Sequence, residues 1–175
     1  MSELRTNRIV PRDGLPSGSS GGVIQVKSVI KTDTFTTDST SYTDVTGLSV
    51  SITPKFSTSK ILVMMHVQIG HDSNVAGFLR LMRDSTAIAV GTDVSSRNAC
   101  TVCMSDDPSD DVIASLSMTF LDSPSTTSST TYKVQMNTEG SGNTGYVHVN
   151  RSGEDADNNQ NGRTCSTITV MEVSA

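Results

Sequence analysis

Residues 59–70, SKILVMMHVQIG, are the longest apolar stretch in the chain and must lie deep in a core. Ile61, Val63, Met65, Val67 and Ile69 alternate with Leu62, Met64, His66 and Gln68, so one face is apolar throughout and the other turns polar toward its end. A helix would set His66 and Gln68 on the same stripe as apolar residues and would cost the β-branched side chains rotamer freedom. The spacing therefore predicts a strand. Just upstream, VTGLSVSITP alternates Leu48, Val50 and Ile52 with Ser49, Ser51 and Thr53 and stops at Pro54, which predicts a half-buried strand joined to the first by the loop PKFSTS. This pair is the expected centre of a β-domain.

The same alternation recurs along the chain after Val23. VIQVKSVIK, TFTTDSTSYTD, GFLRLMRD, TAIAVGTD, NACTVCMS, VIASLSMTFLD, TYKVQMN, GYVHVN and STITVMEV all read as short strands, bounded by Gly, Pro, Asn, Asp or Ser. VIASLSMTFLD, with Val112, Ala114, Leu116, Met118 and Phe120 on one face, reads as a second buried strand, and TAIAVGTD as the return arm of a hairpin across Arg83, Asp84 and Ser85. Ser and Thr supply 50 of the 175 residues and Trp is absent, so helix should be minor. Many short antiparallel strands with several long crossing loops predict an all-β, antiparallel β-sandwich, jelly-roll-like in preference to an up-and-down barrel. The length suits one sandwich domain, residues 23–175.

Residues 1–22, MSELRTNRIVPRDGLPSGSSGG, have neither periodicity and end in a Gly/Ser run. They read as an extended N-terminal attachment arm. Leu4, Ile9, Val10 and Leu15 are more apolar than a solvated tail needs, and Arg5, Arg8 and Arg12 stand among them as partners for acidic groups. Extended, about 20 residues reach roughly 66 Å, far beyond the radius of gyration of about 15 Å expected for the sandwich, so the arm can cross to a neighbouring subunit.

Net charge −5 and a pI near 5.0 argue against a nucleic-acid surface, which needs clustered Lys and Arg. No run approaches the length of a membrane span and no export signal opens the chain, so the reading is a water-soluble protein made in a reducing cytosol. Cys100, Cys103 and Cys165 are an odd number and are expected to be free thiols. C-x-x-C at Cys100 and Cys103, with Cys165 and one of His66, His71 or His148, has the ligand types of a zinc site, but alternation on a strand would splay the two thiols, which leaves buried thiols as the better reading. The acidic loops around Asp106, Asp107, Asp110 and Asp111, and around Glu154, Asp155 and Asp157, have the oxygen density of calcium sites without a calcium-loop spacing, and read as solvated loops. No nucleophile elbow, zinc-protease helix or phosphate loop is present, so neither enzyme nor cofactor is expected.

Several phrases form a recognisable set: SELRTNRIVPRDGLPSG, TFTTDSTSYTDVTGLSVSITP, SKILVMMHVQI, LMRDSTAIAVG, FLDSPSTTSSTTYKVQM, HVNRSG and STITVMEV. Together they resemble a family of virion structural proteins of tailed bacteriophages, marine and cyanobacterial ones above all, and the arm resembles the attachment segment of fibre-like phage proteins. The resemblance implies a β-sandwich, commonly trimeric, on the particle surface as a capsid decoration or a fibre, and it brings no catalytic residues. The expected function is thus a decoration or cement protein held by its arm to other virion proteins. The alternative is a head- or tail-fibre receptor-binding module holding a host glycan, ranked second because Trp is absent and aromatics are few.

Overall fold

The computed structural model describes residues 22–139 and 145–174. Eleven strands account for the regular structure among the described residues: β1 Val23–Lys31, β2 Phe35–Thr37, β3 Thr43–Ile52, β4 Lys60–His71, β5 Gly77–Arg83, β6 Thr86–Ile88, β7 Val102–Met104, β8 Ile113–Asp122, β9 Thr130–Thr138, β10 Val147–Val149 and β11 Ser166–Val173. The long apolar stretch forms β4, which runs through the middle of one sheet. On one side it pairs with β8; on the other it pairs first with β11, which pairs in turn with β1, and then with β10, which carries β2. The second sheet runs β3-β9-β5, with β6 and β7 sharing the far side of β5.

All pairings are antiparallel, and they nest: β1 with β11, β3 with β9, β4 with β8 and β5 with β7. A long hairpin wound into two facing sheets is a jelly roll, and the predicted all-β antiparallel sandwich is what the chain forms. β3 and β4, adjacent in sequence, lie in opposite sheets, and the loop containing Pro54 carries the chain across.

The core follows from the period of two. Ile61, Val63, Met65, Val67 and Ile69 of β4 meet Leu48, Val50 and Ile52 of β3, Leu79 and Leu81 of β5, Tyr132, Val134 and Met136 of β9, and Ile168 and Val170 of β11 in one apolar cluster. Val63, Val67 and Ile69 are wholly buried, which is why this stretch reads as the centre of the molecule.

Three expectations need correction. β8 is an edge strand: Ser115, Ser117, Thr119 and Leu121 are exposed, and Leu116, Met118 and Phe120 are only half buried. Its apolar alternation matches that of a central strand, and only strand order reveals the difference. The return strand after Asp84 and Ser85 ends at Ile88, because Ala89 takes a left-handed backbone, φ 52°, that a ladder cannot continue. The strand around NACTVCMS shrinks to Val102–Met104.

Candidate functional site

Because side chains alternate, the face of the β4 sheet that turns away from the core can be read row by row. Across the strands, Val26 stands opposite Met171, Met171 opposite Leu62, and Leu62 opposite Leu121. The result is an apolar row over β1, β11, β4 and β8, with Val26 50% and Leu121 53% exposed at its two ends. The next row, Ser28, Thr169, Met64 and Thr119, is largely hydroxyl, and Ser28 Oγ and Thr169 Oγ1 share a 2.7 Å hydrogen bond. The third, Ile30, Thr167, His66 and Ser117, starts with an isoleucine that is 60% exposed. His66 is thus a surface residue of this face, with Gln68 Nε2 3.3 Å from its ring nitrogen. The described chain starts at the end of the β1–β11 ladder, a few residues along the strands from the apolar row, where the Ser174 N–H donates to Gly22 O at 3.0 Å.

His71 and His148 belong to a separate polar cluster at the end of β4. His148, 1% exposed on β10, sits directly opposite Thr36 of β2, and its Nδ1 lies 3.1 Å from Thr36 Oγ1. Its Nε2 lies 3.0 Å from Asp72 Oδ1, and Asp72 Oδ2 accepts from the Tyr146 N–H at 2.8 Å. Burial, reinforced by the nearby Arg151 charge, lowers the His148 pKa below 6.5 against the opposing pull of Asp72. Although the geometry is that of an ion pair, the neutral imidazole is favoured: Nε2–H donates to the carboxylate and Nδ1 accepts from the threonine hydroxyl. For Asp72, burial pushes the carboxyl up, but His148 and the Tyr146 N–H outweigh it and the net shift is downward.

The order carboxylate, imidazole, hydroxyl is also that of a hydrolytic triad. Here the hydroxyl belongs to a cross-strand ladder pair, and the cluster ties β2, β10 and the turn after β4 together. His71, fully buried beside it, is 2.6 Å through Nδ1 from the Asp72 carbonyl oxygen.

Cys100 and Cys103 come together. Cys100 precedes β7 in irregular chain, its carbonyl accepting from the Gly91 N–H at 3.0 Å, while Cys103 lies on β7 opposite Phe78. The expected splaying fails because only Cys103 is on the strand. Burial, and the Cys103 thiol within hydrogen-bonding reach, push the Cys100 thiol up to about 11. Both line an open cleft of about 640 Å³ with Phe78, Arg97, Asn98 and Glu139. Burial likewise raises Tyr42 to about 12, and that ring carries the Arg80 guanidinium 4.0 Å above it. All three thiols are free, but the expected burial holds only in part: Cys100 is half buried, whereas Cys103 and Cys165, the latter just before β11, are exposed.

The two acidic loops meet, which their separation in sequence conceals: the Gly153 N–H donates to Asp110 O at 2.7 Å, and Glu154 raises the pKa of the Asp111 carboxyl. Among the described residues, no group of three or more His, Cys, Asp or Glu is placed to hold a metal ion. No described helix is long and apolar enough to cross a membrane. The arm residues Leu4, Arg5, Arg8, Ile9, Val10, Arg12 and Leu15 lie outside the described residues. Sequence reasoning missed the triad-like cluster, since Thr36, Asp72 and His148 are distant in sequence, and the outer apolar row, which exists only once strand order is known.

No protein-family model and no curated protein matches the sequence. Solved structures similar to this chain are particles of infectious bursal disease virus: the Gt strain, at 12% identity and TM-score 0.47 over 97% of this chain and 44% of that one, and the VP2 subviral particle, at 12% identity and TM-score 0.46 over 98% and 45%. The chain spans less than half the length of either. The fold itself defines the class, an antiparallel jelly-roll sandwich.

Proposed function

We propose that this chain is a non-enzymatic structural protein of a bacteriophage virion, a capsid decoration or cement protein displayed on the particle surface and anchored through residues 1–22. It works as a homo-oligomer, a trimer on the phage resemblance, in contact with other virion proteins, without cofactor, nucleic acid or membrane. The observation that carries the reading is the apolar row Val26, Met171, Leu62 and Leu121 on an otherwise hydroxyl-rich sheet face, with β1, the strand that follows residue 22, supplying one end of the row. A wet sheet face has no need of an apolar row, and such a row signals contact with another protein.

The arm supplies the anchor. Pro11 and Pro16 cannot donate ladder hydrogen bonds, which keeps the segment out of the sheets except at an edge. Burying Leu4, Ile9, Val10 and Leu15 on a partner contributes on the order of 6 to 12 kcal/mol before ordering costs. Adding full-length chain, and chain lacking residues 1–17, to particles stripped of the protein tests the proposal. Full-length chain loads and truncated chain does not. Loading of both at equal occupancy would move the anchor onto the sandwich.

A second reading, a head- or tail-fibre module holding a host glycan, has one observation in its favour. The cleft beside β7 sets Phe78 among Arg97, Asn98 and Glu139, an apolar floor with polar groups of the kind sugars use. Specific retention on a glycan array, abolished by Arg97→Ala, would favour it over the decoration role.

A further inference from the structure

The β4 sheet ends in two edges of opposite character. On the β1 side, the ladder to β11 is irregular between Val23 and Gln25, and Lys27 stands exposed. A bulge and a lysine are the usual means of keeping foreign strands off an edge. The β8 side has neither. Its register with β4 runs unbroken from Asp122 opposite Ile61 to Ile113 opposite Gly70. Residues 113–121, IASLSMTFL, include no charge, no proline and no glycine. Among the described residues β8 pairs with β4 alone, so its other side presents a regular row of backbone donors and acceptors. On its inner face Leu116, Met118 and Phe120 reach the core yet stay half buried, cover that one more strand would complete.

We propose that the strand completing this edge is β8 of a second copy, antiparallel about a two-fold axis through Ser117 and perpendicular to the sheet. The sequence is self-complementary in that register. On the inner face Leu116 meets the second copy's Met118, and Ala114 meets its Phe120, small against large. On the outer face Ser117 meets its own symmetry mate, Ser115 meets Thr119, and Ile113 meets Leu121, which prolongs the apolar row across the contact. Moving the axis to Leu116 or to Met118 sets Leu121 against Asp111 or against Ser115, so the Ser117 register is the one that matches every pair. No like charges face each other along it. Isologous contacts of this kind are the commonest form of self-association, and strand addition draws its affinity from main-chain hydrogen bonds.

This inference deepens the assembly role proposed above, and it is read separately from attachment because the proposed contact is built from β8 of each copy. In solution it gives a dimer or, on the proposed trimer, a pair of trimers. Light scattering on the full chain at micromolar concentration should show an even-numbered assembly. Two matched double variants at the exposed positions 115 and 119 set its sign. S115K/T119K places two lysine pairs across the axis and should weaken association about tenfold or more, whereas S115E/T119K places two opposite-charge pairs there and should retain it. Both should melt like the parent when dissociated.

In a chain with the three native cysteines changed to serine, Ser117→Cys in a glutathione redox buffer should form a covalent dimer, since directly paired residues bring their Cα atoms within about 4.5 to 5.5 Å. A wild-type monomer, a trimer that S115K/T119K leaves intact, or absence of the cross-link in the Ser117→Cys chain would each overturn the two-fold. A monomer whose loading onto particles S115K/T119K nevertheless blocks would give the edge to a strand of another virion protein. Failure of arm-dependent loading with the cross-link intact would sink the anchoring proposal and leave this one standing.

Discussion

Asp122 closes one end of the sandwich through two partners on the opposite sheet. Its carboxylate accepts from Arg83 Nη1 at 2.8 and 3.0 Å and from the Tyr132 hydroxyl at 2.6 Å. Asp122 is 5% exposed and Tyr132 fully buried, so solvent cannot replace the lost partners. Arg83 keeps 28% of its side chain in water, which reduces the cost to it. Asp122→Ala should therefore cost about 2 to 3 kcal/mol and Tyr132→Phe about 1, read from urea denaturation midpoints. His148 gives a pH signature. Its folded pKa is lowered, so the folded state resists the proton that the unfolded chain accepts near 6.5. Stability is full above that pH and falls as the pH drops through 6.5, while Asp72, also lowered, adds its loss only below about 3.8. Between pH 7.5 and 5 the wild type should lose more stability than His148→Gln; an equal loss would assign the effect elsewhere.

Elements were legible from the sequence where the period of two met an apolar face, and β4 is the plainest case, since Ile61 through Ile69 alternate without interruption. Position within the sheet was not legible. β8 carries the same alternation as a core strand, and its edge placement follows from β4 having β11 and β10 on its other side, a long-range fact. The C-x-x-C pair misleads because strand geometry begins at Val102 and does not reach back to Cys100. β4 also sets a steric test. A Cβ on Gly70 would stand 2.3 Å from the carbonyl oxygen of Arg151 and 3.1 Å from that of Val112, both backbone atoms that cannot swing aside. Gly70→Ala should cost about 3 kcal/mol, while Gly162→Ala, with nothing near its Cβ, should stay within about 0.5 kcal/mol.

At the scale of the whole molecule, the question is what the sandwich owes to the segment before it. Among the described residues, the buried apolar cluster runs from Val45 to Val170 and is drawn from both sheets, and β1 is held by the β11 ladder from Val23 to Lys31. Among the described residues, the nested hairpin supplies that core from both sheets. The sequence sets residues 1–22 apart as an expected arm, since periodicity begins at Val23 and a Gly/Ser run precedes it. The outer apolar row is not visible in the sequence, because Val26, Met171, Leu62 and Leu121 become one row only after β11 inserts between β1 and β4. Deleting residues 1–17 should thus leave the melting temperature of the remaining chain within about 2 °C of the full-length protein, less than a single lost core contact would shift it. A fall of many degrees would make the arm part of the fold, and the division between arm and sandwich at residue 22 would have to be abandoned.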